Sequence, residues 1–147
     1  MIRIRKLLLS LLILPGLALA ADGLVIDDPW SPEAPPGRMM AGFMQLHNTG
    51  DEPIALVAGE SPQFGHVEIH TMIMDDGVMR MRRLDELVIE PGEQVELRPG
   101  GLHLMLIEPL APLKRGETID ITLIDSRGHR YPLVSEVRER NRPAMAD

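Results

Sequence analysis

Polar and apolar residues alternate along the chain in short runs broken by glycine, proline and acidic turns. This pattern predicts strands over 40–48, 53–60, 66–74, 78–84, 86–90, 94–98, 102–108, 118–125 and 130–137. The breaks NTGDEP, MDDGV, EPGE, RPGG, KRGE and DSRGH are turn-forming. No segment carries a helical period with caps at both ends. Many short strands at regular spacing predict an all-β sandwich or barrel. The stretch SPEAPPG at 31–37 reads as a proline-rich surface loop, and the chain from Arg138 onward as a charged, frayed tail.

The first twenty residues follow a different rule. A basic start, MIRIRK, precedes the apolar run LLLSLLIL and the small-residue signal ALA at 18–20. That is the pattern of a secretory signal peptide, cut after Ala20, whose apolar part is too short to span as a stable helix. The expectation is a single domain over 21–147, exported to the periplasm and not inserted in the membrane. No cysteine occurs in the chain, so neither a disulfide nor a cysteine-linked lipid is available. Residues 21–147 carry twelve basic against twenty-two acidic side chains, a formal charge of −10. Such a charge argues against nucleic acid and anionic lipid as partners.

The chemistry concentrates in two stretches. In LHLMLIE, 102–108, His103 and Met105 share one strand face and Leu102, Leu104 and Leu106 the other. In HTMIMDDGVMRM, 70–81, the pair Asp76-Gly77 signals a two-residue hairpin turn. Centred there, Met74 faces Met79 and Met72 faces Met81, with His70 diagonal to Met81 on the same face. Imidazole and thioether are neutral donors. Thioether is soft, unsuited to Zn²⁺, Ca²⁺ or Mg²⁺, and suited to Cu(I). A blue-copper electron-transfer site would need a cysteine thiolate, which the chain lacks.

The spacing His70-x10-Met81-x21-His103-x-Met105 resembles the signature of the periplasmic copper chaperone family PCu(A)C. DPW, AGFMQLHNTGDE, VEIH, GVMRM, PGGLHLML and PLKRGETIDITL are similar to the family as well, so the resemblance runs from about 24 to 137. Two departures stand out: WSPEAP lacks the arginine that often follows the tryptophan, and Leu102 replaces an aromatic often found before the second histidine. The resemblance implies a cupredoxin-like, immunoglobulin-like β-sandwich with one exposed Cu(I) site. It implies His70, Met81, His103 and Met105 as ligands. It further implies delivery to the binuclear copper site of cytochrome c oxidase subunit II, often beside a Sco-type thiol chaperone, and no enzymatic turnover.

The remaining soft or basic side chains have plainer readings. Met39, Met40, Met44 and Met145 read as packing residues, and Met74 and Met79 as core or rim packing. Met72 is open between packing and service as an alternate ligand. His129 reads as a solvated turn residue, His47 as unplaced, and His66 as at most a secondary Cu(II) ligand. Three other functions fit parts of the sequence: a copper-tolerance store without an oxidase acceptor, a mononuclear copper oxidase, and a metal-free protein-binding sandwich. Two thioethers disfavour the oxidase, which calls for nitrogen-rich ligation.

Overall fold

The computed structural model describes residues 23–140; the expected signal segment at 1–20 and Met145 lie outside them. The described residues form ten strands and no helix. They are β1 (Leu24–Pro32), β2 (Met40–Asn48), β3 (Ile54–Glu60), β4 (Phe64–Asp75), β5 (Val78–Arg83), β6 (Leu87–Ile89), β7 (Gln94–Leu97), β8 (His103–Pro109), β9 (Thr118–Asp125) and β10 (Arg130–Arg138).

Seven of these strands form a ring in the order β4-β8-β2-β1-β10-β9-β3. A single bridge, Gly59 to Val67, closes it between β3 and β4. Glycine is required at that seam: a Cβ on Gly59 would stand 2.6 Å from Val67 Cγ1. β5, β6 and β7 lie outside the ring, on β4, β3 and β2 respectively. The inward side chains of the ring make the core. Leu46, Leu56, Leu104, Leu106, Ile119, Leu123 and Val137 are all but sealed from solvent. Ser31, Ser135 and Asn48 are polar groups buried in this shell and are paired, as most buried polar atoms are. Ser31 and Ser135 share a hydrogen bond at 2.9 Å. The Asn48 amide donates to the carbonyls of Glu52 and Ile89 and accepts from the Gly50 N–H.

Every predicted strand is present to within two residues at each end. The one missed element is β1. Its DDPW sequence breaks the apolar alternation, and the reason is structural. Asp28 takes a left-handed φ of 46°, and the register against β2 shifts between Asp27 and Trp30. This is a bulge, which adds a residue and re-aims those that follow. Trp30 is thereby set opposite Phe43. Two further expectations are corrected here. Ser31 and Pro32 belong to β1, parallel to β10, rather than to a loop. Arg138 ends β10 and donates to Asp28 and Glu136, so it is not part of a frayed tail.

The hairpin of β4 and β5 has the register read from the sequence, including Met72 opposite Met81 and Met74 opposite Met79. Asp76 and Gly77 both have positive φ, 48° and 77°, as the tight primed turn demands. β4 pairs with β8 only from Phe64 to His70. Beyond His70 its sole partner among the described residues is β5, so the hairpin continues outward as a two-stranded ribbon.

Candidate metal centre

The outer face of β5, β4, β8, β2 and β1 carries the chemistry. Pairing of β4 with β8 was not legible in the sequence, since the two strands are not consecutive. It sets His70 directly opposite His103 and Glu68 opposite Met105. The two imidazole rings lie 5.8 Å apart, centroid to centroid. Met81 stands one strand further out, diagonal to His70. Beyond β8, Met105 faces Ala41 of β2. Trp30 and Phe43 then close the far side with rings 5.0 Å apart.

A cavity of about 590 Å³ opens on this face, lined by Met72, Met81, His103 and Met105 together with Trp30, Phe43, Ala41, Pro99, Gly100 and others. Three of the four sequence-predicted ligands therefore share one cavity. The fourth, His70, is not in its lining but is packed against His103 from the next strand. Burial grades across the group. His103 is only 6% exposed, the His70 side chain 14%, and Met81 42%. The alternation on β8 is thus not a split between core and open face, because the aromatic floor and neighbouring strands cover His103 too.

Hydrogen bonds set the ring nitrogens. His103 Nδ1 lies 3.0 Å from the Gly101 carbonyl, which can only accept. Nδ1 therefore carries the proton, and Nε2 keeps its lone pair. His70 is reversed. Its Nε2 is 2.8 Å from Glu68 Oε2, and Arg83 Nη1 approaches the other carboxylate oxygen at 3.5 Å. The hydrogen bond to His70 holds the Glu68 carboxyl below its ordinary range, against the opposing effect of burial and with help from the Arg83 charge. An ionised Glu68 accepts, so His70 Nε2 donates and Nδ1 holds the lone pair. That Nδ1 is buried and, among the described residues, has no hydrogen-bond partner. A buried polar atom left unpaired costs about 1–3 kcal/mol. Carboxylate to histidine to metal is a recurrent chain that fixes a ligand's tautomer.

The donors suit a soft, monovalent ion. Among the described residues no three His, Cys, Asp or Glu side chains gather as a metal-holding group, so a hard-ion cage is not what this face offers. The imidazole lone pairs and thioethers are neutral, and the thioethers are soft, a set that favours Cu(I).

Other candidates fall elsewhere. Met40 and Met44 are buried in the core, as expected for packing residues. Met39 is 56% exposed, which corrects its assignment to packing, and Met74 and Met79 at 65% and 47% lie outside the core, which leaves the rim half of their reading. His47 sits on β2 opposite Val25 and Gln94. His66 is exposed beside Glu108. His129, half-exposed in a turn, is hydrogen-bonded to Asp125. The sequence reading missed Glu68, Trp30 and Phe43. Glu68 had a signal: VEIH puts it two residues before His70, on the same strand face.

Known proteins resemble this chain over the same region. The family described as "Putative lipoprotein LpqE-like" matches residues 24–137. "Putative lipoprotein Lxx21020" of Leifsonia xyli is 31% identical over 120 residues, 81% of this chain and 72% of that protein. Among solved structures, the copper-bound PCuAC domain from PmoF2 superposes with a TM-score of 0.69 at 22% identity, covering 82% of this chain and 97% of that domain. The Cu(I) form of DR1885 from Deinococcus radiodurans gives 0.60 at 27% identity, covering 85% and 83%. The fold is the cupredoxin-like, immunoglobulin-like β-sandwich implied by the resemblance in sequence.

Proposed function

Because the chain belongs to the LpqE-like family, the PCu(A)C family, we propose that it binds one Cu(I) through His70, Met81, His103 and Met105 and passes it on as cargo. The observation that carries this reading is the buried, unpartnered Nδ1 of His70, next to His103 with its own Nε2 lone pair free. Solved relatives support copper as the ion, since their structures include copper-bound and Cu(I) forms.

Transfer follows from the donors. Neutral imidazole and thioether hold Cu(I) without a thiolate, and an acceptor with cysteine ligands binds it more strongly. The ion then moves downhill by stepwise ligand exchange. The exposed Met81 edge is where an acceptor sulfur enters, while the buried imidazoles release last. We assign the acceptor as the copper domain of cytochrome c oxidase subunit II, with a Sco-type thiol chaperone as a second participant and the periplasm as the compartment. On this reading the protein is a carrier and not an enzyme.

X-ray absorption on the Cu(I)-loaded protein is expected to give two sulfur and two nitrogen neighbours. Met81→Leu and Met105→Leu should each weaken Cu(I) binding and leave the fold intact. Unchanged affinity in both variants would sink the site. Mixing the loaded protein with an oxidase subunit II domain tests delivery. Copper retained by the carrier would point instead to storage for copper tolerance.

A further inference from the structure

Thioethers continue past the cavity. Met72 and Met81 line it, and one pleat outward along the ribbon Met74 stands opposite Met79. Two residues along a strand advance about 7 Å. Asp75 and Val78 close the two-residue turn, so by the alternation of an antiparallel ladder the pairs 74–79 and 72–81 are both of the non-hydrogen-bonded kind. In such pairs the side chains stand closest, with Cβ atoms about 4.5–5.5 Å apart. Met74 is 65% and Met79 47% exposed, so neither packs in a core. The nearby charges are spent on the other face, where Asp75 takes Arg80 at 3.1 Å and Arg82 at 3.9 Å.

We infer that Met74 and Met79 form a second, weaker Cu(I) site, an outer two-sulfur station from which the ion steps to Met72 and Met81 and then to the imidazoles. The proposal rests on the copper reading of the inner site. Unbranched methionine side chains have the freedom to converge two sulfurs on one ion. Two thioethers without nitrogen bind Cu(I) more weakly than the mixed inner set, so affinity rises inward along the ribbon. Each step exchanges one neutral donor for another, sulfur for sulfur along the ribbon and nitrogen for sulfur at its root, and moves no electron or proton. Exposed apolar side chains in such a row have another use, as a docking face for protein, and the test separates the two.

The test titrates the protein, labelled with ¹³C at the methionine methyls, with Cu(I) under a competing chelator. Ag(I), a redox-inert ion of the same preference, serves as a control. The first equivalent should shift the methyls of Met81 and Met105. A second equivalent, bound at least tenfold more weakly, should shift those of Met74 and Met79. Met74→Leu/Met79→Leu should lose the second equivalent and keep the first at unchanged affinity. If the first equivalent binds while excess Cu(I) leaves the Met74 and Met79 methyls fixed, the outer station is overturned and the row is a docking face. A second equivalent that survives in the double variant overturns it equally. Shifts at Met74 and Met79 with the Met81 and Met105 methyls fixed would refute the inner site, and with it the inward step from the outer station. No binding of either ion would refute both.

Discussion

Among the described residues, His70 and His129 each hydrogen-bond a carboxylate, and only one of the two has the makings of a ligand. His129 gives Nδ1 to Asp125 at 3.0 Å, as His70 gives Nε2 to Glu68 at 2.8 Å. Around Asp125 the carboxylate is the centre. It is 5% exposed and accepts from the Arg127 and His129 amides, the His129 ring and the Tyr131 hydroxyl. The His129 ring is one donor of several, with half its surface in water. Around Glu68 the histidine is the centre. The carboxylate fixes its ring, and the opposite nitrogen is buried with nothing to bond. A histidine–carboxylate contact alone therefore says little. What distinguishes the pair at β4 is where the second nitrogen ends up.

The largest effect should come from Asp125→Ala. It strips four donors of a buried acceptor and should cost about 3 kcal/mol in urea unfolding, with Cu(I) affinity unchanged. Acid sharpens the same point. Burial pushes the Asp125 carboxyl up, but the hydrogen bonds from His129, Tyr131 and Arg127 outweigh it and hold the group below its ordinary value. A lowered folded value means the ionised form is favoured in the native state. That stability is complete above the unfolded value, about 4, and is lost as pH falls through the folded one. Asp125→Asn should flatten the acid limb of a stability profile.

Next in size, His70→Ala should lower Cu(I) affinity about 100-fold, or about 2.7 kcal/mol, with little change in melting temperature. A Cu(I) affinity that survived would make His70 as structural as His129. Glu68→Gln should cost about tenfold in affinity, as outer-shell changes do, read by chelator competition on folded protein. His129→Ala should be the smallest, under about 1 kcal/mol in unfolding and nothing in copper binding. A copper effect from His129→Ala would erase the contrast.

Local signals carried far in this chain. Asp76-Gly77 was enough to fix the register that puts Met72 against Met81, because a two-residue turn leaves the pairing no freedom. The leucines at 104 and 106 were legible as core from alternation alone. Alternation failed at β1, where the bulge at Asp28 interrupts the pattern that betrays a strand. It left Met74 and Met79 open between core and rim, since a period of two assigns a face but not whether anything covers it. The buried His103 shows the converse, as its cover comes from strands distant in sequence. The orphaned nitrogen of His70 depends on Glu68 and on the β4–β8 pairing together, and no single stretch of sequence encodes that.

The parting of β4 from β8 after His70 has a mechanical side. An arm fixed at one end bends most easily at its free tip and least at its root. Here the root is the row Arg83, His70, His103, held by ladders on both sides of β4. The tip is Asp76-Gly77, and a two-stranded ribbon by itself is a weakly supported element. The imidazoles sit at the clamp, and the four thioethers lie along the compliant length. A small push on the tip displaces Met74 and Met79 most, Met72 and Met81 less, and the histidines hardly at all. The same graded stiffness would let the Met81 side of a bound ion swing toward a visitor while the imidazoles and Met105 hold still.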